Sequence, residues 1–117
     1  MKLLSTALVL ALGVVSIAFA QHPAPKNLKL LPADDNLIPT MRSYTVALGV
    51  KCDFCHVQGD FASDEKKEKG FARHMITMAK GINDEFKDGK VHVTCYTCHR
   101  GAAVPAVAPT EAIKSGQ

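Results

Sequence analysis

Tryptophan is absent from this 117-residue chain, and its aromatic content stops at two tyrosines and five phenylalanines. A core built from large rings is therefore excluded. Hydrophobic residues make up 47 % of the sequence, but the first twenty residues hold a disproportionate share of them, and much of the remainder is alanine. Removing those twenty leaves 97 residues, one small domain of a size that is often marginal without a metal, disulfide or cofactor. Something other than side chains must fill the middle. Past residue 20 no apolar run approaches the ~20 residues needed to cross a bilayer, so the mature chain is expected to be soluble or peripheral. Charge of one sign is lacking too: without Lys2 there are 13 basic and 11 acidic residues, too even a balance for a nucleic-acid binder.

What is present begins with an export signal. Met1-Lys2 supplies a positive start, residues 3–15 form an apolar run interrupted only by Ser5, Thr6 and Gly13, and Ala18-Phe19-Ala20 fits small-x-small cleavage. Residues 1–20 are thus expected to be a cleaved signal peptide, with Gln21 as the first mature residue and the periplasm or extracellular space as the destination. Gln21 is not cysteine, so the usual bacterial lipid anchor is not expected.

Four cysteines in an exported chain ordinarily imply two disulfides. Their placement argues otherwise. They occur as Cys52-Asp53-Phe54-Cys55-His56 and Cys95-Tyr96-Thr97-Cys98-His99, the same five-residue pattern twice, with no cysteine left over. On one helical turn both sulfurs and the imidazole project to neighbouring positions on one side. Two thiols so placed can add across the vinyl groups on one edge of a porphyrin while the histidine reaches beneath the ring to the iron, which is c-type haem attachment. Two covalent haem c groups are therefore expected, on Cys52 and Cys55 and on Cys95 and Cys98, with His56 and His99 as proximal iron ligands. A four-cysteine zinc site fits poorly, because 39 residues separate Cys55 from Cys95 and both histidines go unexplained. A thioredoxin-like pair fits less well, since no strand-helix-strand pattern surrounds either motif. Two large, flat, mostly apolar haems also answer the missing core, and the chain without them should fold poorly.

The rest of the chain is read for distal ligands. Residues 21–33 carry three prolines and form an expected extended arm, with 27–31 as its only strand-like stretch. From a cap at Asp34 or Asp35 the pattern predicts a helix to Leu48, with Pro39 in the first turn and Gly49 as the stop. Met41, Tyr44, Thr45 and Leu48 form one face of it. A second helix is predicted from near Ser63 to about Phe86. Phe71, Met75, Met78, Ile82 and Phe86 line one side, and Lys66, Lys69, Arg73, Thr77, Lys80, Asp84 and Lys87 take the other; the run Lys66 to Lys69 is expected to be a solvated face, with a docking patch as the alternative. The three mature methionines all lie on apolar faces ahead of a haem motif. A thioether there is either core filler or the sixth ligand of low-spin iron. Met41 is the candidate for the first haem; Met75, with Met78 one turn on as the alternative, is the candidate for the second. His22, His74 and His92 read as surface residues. Residues 102–117, rich in alanine with Pro105 and Pro109, read as a tail following a domain at 34–101.

Several stretches together, Leu48-Gly49-Val50-Lys51 with the first motif, Phe61-Ala62-Ser63, Ala72-Arg73-His74-Met75-Ile76, Ile82-Asn83, and Val93-Thr94 with the second motif and Arg100-Gly101, resemble the bound cytochrome subunit of photosynthetic reaction centres. The resemblance runs from about Asn27 to Pro105. It implies repeats of helix, turn and motif-bearing helix, and a helix methionine as sixth ligand, a role it carries onto Met41 and Met75 and away from Met78. The family subunit carries four haems, whereas this chain has two motifs and resembles half of it.

The expectation is a mostly α, small multihaem cytochrome c, with helix-turn-helix repeats packed around two covalent haems. It would relay single electrons between a redox-protein donor and acceptor, with a membrane-associated complex as a candidate for one of them, and would not be an enzyme. The competing reading is a haem enzyme or a gas or redox sensor with a labile axial methionine. No distal catalytic group is identifiable for it, although Arg73 and His74 flank Met75.

Overall fold

The computed structural model describes residues 23–108; the expected signal peptide at 1–20 and the end of the expected tail lie outside the described residues. Among the described residues three α-helices form in the order α1 (Leu37–Leu48), α2 (Lys67–Glu85) and α3 (Cys95–His99), with a 3-10 turn at Cys52–Phe54 between the first two. No strand forms among the described residues, and no described helix is long and apolar enough to cross a membrane. The fold is mostly helical, as the patterning implies.

α1 starts where the chain can first supply a turn. The Asp34 carboxylate accepts the Asn36 amide at 2.9 Å and its carbonyl accepts the Leu37 amide at 3.1 Å, which places Pro39 in the first turn, where its missing N–H costs nothing. Gly49 ends the helix in the left-handed conformation, φ 65°, and hands its own amide and that of Val50 back to Val46 and Thr45. A second reason demands glycine here: a Cβ on Gly49 would lie 2.2 Å from the carbonyl oxygen of Gly101. The two backbones touch, and the Gly101 amide donates to the Ala47 carbonyl at 2.8 Å. α1 and α3 thereby pack against each other, with Ala47 the one buried hydrophobic residue among those described, 4 % exposed.

α2 begins at Lys67 rather than near Ser63, because residues 57–66 are held as a loop by bonds described below. Its apolar stripe is Phe71, Met75, Met78, Ile82 and Phe86, and all five are exposed. Burying a side chain of this size is worth about 1.5–3 kcal/mol, so the stripe withholds on the order of 10 kcal/mol, as much as the whole net stability of an ordinary domain. Contacts among these helices alone do not make a conventional core.

Residues 23–33 follow the loop before α2 and pair with no strand. Asn27, itself at φ 61°, donates through its side chain to the Ala62 carbonyl at 2.6 Å and to Asp64 at 2.9 Å, and Lys29 reaches Asp64 at 3.2 Å.

Candidate functional site

Each five-residue motif is a tight turn that ends on its histidine. In the first, the Cys52 carbonyl accepts the amides of Cys55 at 3.3 Å and His56 at 3.0 Å, so the chain winds once and presents the ring. His56 Nδ1 lies 3.0 Å from the Phe61 carbonyl oxygen. In the second, α3 spans the whole motif, and His99 Nδ1 lies 2.9 Å from the Ala102 carbonyl oxygen. A carbonyl can only accept, so in both rings Nδ1 carries the hydrogen and Nε2 holds the free lone pair. That is the orientation of a metal-ligating histidine whose second nitrogen is fixed by a backbone oxygen.

The surroundings of the first motif are tied together by lysines. Lys69, 8 % exposed, donates from Nζ to the carbonyls of Phe61, Ala62 and Ser63 at 3.0, 3.0 and 2.7 Å, and lies 3.2 Å from Asp64. Lys66 Nζ donates to the carbonyl of Asp53, inside the motif. Arg73 reaches Asp64 at 2.8 Å and the Asn27 carbonyl at 3.3 Å. Asp64 thus gathers Asn27, Lys29, Arg73 and Lys69, and the Asn27 amide, followed by those three cations, holds its carboxyl well below the usual carboxylate range. Assigning the run Lys66 to Lys69 to a solvated face needs correcting at Lys66 and Lys69: both side chains, like that of Arg73, fold back onto the chain ahead of α2. Polarity marks a residue as able to meet water, and three orphan carbonyls serve a lysine equally well.

The second motif is positioned by neutral groups. The Asn83 side chain donates to the Val93 carbonyl at 2.9 Å and accepts the amides of His92 and Val93, both at 2.8 Å. The Thr94 amide donates to the Thr97 hydroxyl at 2.9 Å, capping α3. His92 stacks on Phe86 with ring centroids 3.8 Å apart, and its Nε2 lies 2.9 Å from Asp88. Neither Asn83 nor Lys69 stood out as a site residue in the sequence; the only signal for Asn83 was its place in Ile82-Asn83, a stretch that resembles the reaction-centre subunit, and Lys69 had none beyond its place in the charged run.

Two cavities flank α1. The smaller, about 500 Å³, is lined by Cys52 and His56 together with Thr45, Val50 and Phe61. The larger, about 790 Å³, is lined by Cys95 and Tyr96, by Tyr44 and Ala47 of α1, and by Ile76, Ala79 and Asn83 of α2. Both fall in the ~300–1,000 Å³ range of sites that engulf a compact ligand. The Met41–Leu48 face of α1 therefore divides, Thr45 turning to one cavity and Tyr44 to the other. Cys55, Cys98, His99, Met41, Met75 and Met78 line neither cavity. Met41 is half-buried one turn before Thr45, while Met75 and Met78 stand on the exposed stripe of α2.

All four cysteines are free thiols, and among the described residues no three His, Cys, Asp or Glu side chains converge as a metal site. The geometry of a four-cysteine zinc centre is therefore not formed. Burial pushes the Cys55 thiol up, with Glu68 adding to the rise and Lys66 opposing it, and burial likewise raises Cys95. Burial, then the neighbouring Cys95, raises the Tyr44 hydroxyl. Neither raised thiol has the depressed pKa of a redox nucleophile. A cavity beside each motif, a fixed imidazole with Nε2 free, and an apolar stripe that no described element covers all fit covalent haem.

Residues 27–115 match the family model of the photosynthetic reaction centre cytochrome c subunit. The chain is 42 % identical over 59 residues to the protein named for that subunit in Thermochromatium tepidum, covering 49 % of this chain and 15 % of the relative. It is 39 % identical over 84 residues to the subunit of Roseobacter denitrificans, 62 % of this chain and 22 % of the relative. It is 35 % identical over 91 residues to cytochrome c-554 of Chloroflexus aurantiacus, 70 % of this chain and 22 % of the relative. The chain thus spans between 15 % and 22 % of the length of these curated relatives. No solved structure matches it.

Proposed function

The chain belongs to the photosynthetic reaction centre cytochrome c subunit family, and from that premise we propose that it is an exported dihaem c-type cytochrome that relays single electrons between two redox partners. The observation that carries this reading is the pair of histidines, His56 and His99, each held through Nδ1 by a backbone carbonyl at 3.0 and 2.9 Å. When bound, each haem supplies a one-electron iron couple. The chain does the rest. Cys52 and Cys55, and Cys95 and Cys98, would hold the two haems covalently; His56 and His99 would offer Nε2 to the irons; and the stripe of α2 and the walls of both cavities would exclude water around them.

Met41 and Met75 are the proposed distal ligands. Met41 lies one turn from Thr45, which lines the cavity of Cys52 and His56. On α2, Ile76, Ala79 and Asn83 line the cavity of Cys95; at 3.6 residues per turn Met75 is about 40° around the helix from Ala79 and Met78 about 100°. Met78 is then packing. With histidine and methionine as its ligands neither iron would keep an open position, which favours a carrier over an enzyme. The partners are redox proteins, one of them a membrane-associated complex, met outside the cytoplasm.

The test is spectroscopic. A pyridine haemochrome assay should count two haems per chain that survive acid-acetone extraction, and the oxidised protein should show the near-infrared iron–thioether band. Met41→Ala and Met75→Ala should each remove about half of that band and lower one potential, and Met78→Ala should leave it intact. One haem per chain, or a band lost only in Met78→Ala, overturns the corresponding assignment.

A further inference from the structure

The two proximal histidines have the same kind of partner in different company. His99 Nδ1 meets the Ala102 carbonyl, to which no other group among the described residues donates. His56 Nδ1 meets the Phe61 carbonyl at 3.0 Å, and Lys69 Nζ meets the same oxygen at 3.0 Å. We infer that Lys69 is a positioning residue that raises the potential of the first haem by competing with His56 for the Phe61 carbonyl.

A carbonyl oxygen has two lone pairs and accepts both donors, but an ammonium draws its electron density more strongly than an imidazole N–H does. The oxygen is left a weaker acceptor for His56. Its ring then carries less imidazolate character and gives less charge to the iron, which favours the reduced state. The charge itself acts in the same direction, since a cation stabilises the less positive iron. At 8 % exposure Lys69 is little screened by salt. Asp64, 3.2 Å from Nζ, offsets part of it, yet that carboxylate is shared with Lys29 and Arg73, three cations to one anion. Lys66, on the Asp53 carbonyl, adds a further positive charge at the first motif.

This rests on the haem assignment proposed above, and the experiment separates the two. The full haem-loaded protein is titrated spectroelectrochemically, and the Nδ1–H proton resonances of His56 and His99 are followed in the reduced state. In Lys69→Met the first haem's oxidised-to-reduced ratio at a fixed potential should rise about tenfold, ~59 mV for a one-electron couple. The His56 resonance should move downfield as its hydrogen bond strengthens, and that of His99 should stay. Lys69→Arg, which keeps the charge, should restore both. If Lys69→Met does not load, Asp64→Asn carries the test, with the ratio falling and the His56 resonance moving upfield. A loaded variant in which the His56 resonance does not move, or in which both haems shift equally, overturns the inference. Wild-type protein with no covalent haem on Cys52 and Cys55 overturns the haem assignment instead.

Discussion

The two motifs share five-residue spacing and a histidine held by a backbone carbonyl, and differ in what surrounds them. The first is a single 3-10 turn whose following loop is held by charged side chains, Lys66 and Lys69 on carbonyls and Asp64 binding Asn27, Lys29 and Arg73. The second is a full α-helical turn held by neutral groups, Asn83 on the preceding segment and Thr97 as a cap, and its exit is docked on α1 by Gly101. One chemical task tolerates both solutions because it asks only that two sulfurs and one imidazole share a side. What the scaffolds do not share is their electrostatics. A spacing pattern therefore points to a cofactor and says nothing of how the surroundings of each motif would tune it.

The comparison breaks hardest at the seam where the motifs meet. Gly49→Ala should destabilise the loaded protein by about 3 kcal/mol or more, because it adds left-handed strain to a Cβ that collides with the Gly101 backbone, which no side-chain rotation relieves. Guanidinium unfolding should show this as a lowered midpoint, and the resonances of both motifs should move.

A smaller change should sharpen the contrast. Asn83→Ala removes three hydrogen bonds of 2.8–2.9 Å and should cost about 2–3 kcal/mol, with the reduced-state proton resonances of His99 shifting and those of His56 unchanged. Movement at both motifs would mean that α2 couples them more tightly than its contacts indicate.

The smallest effect concerns acid. The native Asp64 carboxyl is held well below its ordinary range, chiefly by Asn27, so its contribution is complete above that range and is lost as pH falls towards the native value. Stability of the wild type should therefore decline below about pH 4 more steeply than that of Asp64→Asn, by a modest amount because the group is solvent-screened. The anchors of the second motif named above, an amide and a hydroxyl, have no such dependence. Unfolding midpoints measured across the acid range give the comparison.

How far these features were legible follows from the kind of signal each leaves. Pro39 and Gly49 bracket α1 because ring closure and positive φ are properties of single residues, readable wherever they stand. The stripe from Phe71 to Phe86 is legible because helical period is a property of a window. The start of α2 is not, since residues 63–66 suit a helix locally and are held out of it by Lys69 from one turn ahead. Lys69 and Arg73 match the polar period and yet turn inward, and the meeting of Asn27 with Asp64 spans 37 positions. Long-range hydrogen bonds leave no local trace, so the spacing of the two motifs could be read while the scaffold that orients them could not.

The hydrogen bond from Gly101 back to Ala47 has a consequence for the lineage of such chains. It joins points 54 positions apart, so the segment returns to its own first helix and both motifs are enclosed by a contact the unit makes with itself. A unit closed in this way behaves as a module: copies can be strung in tandem without one borrowing the seam of the next. Relatives in which a stretch of this kind fills only 15–22 % of the length have room for more than one.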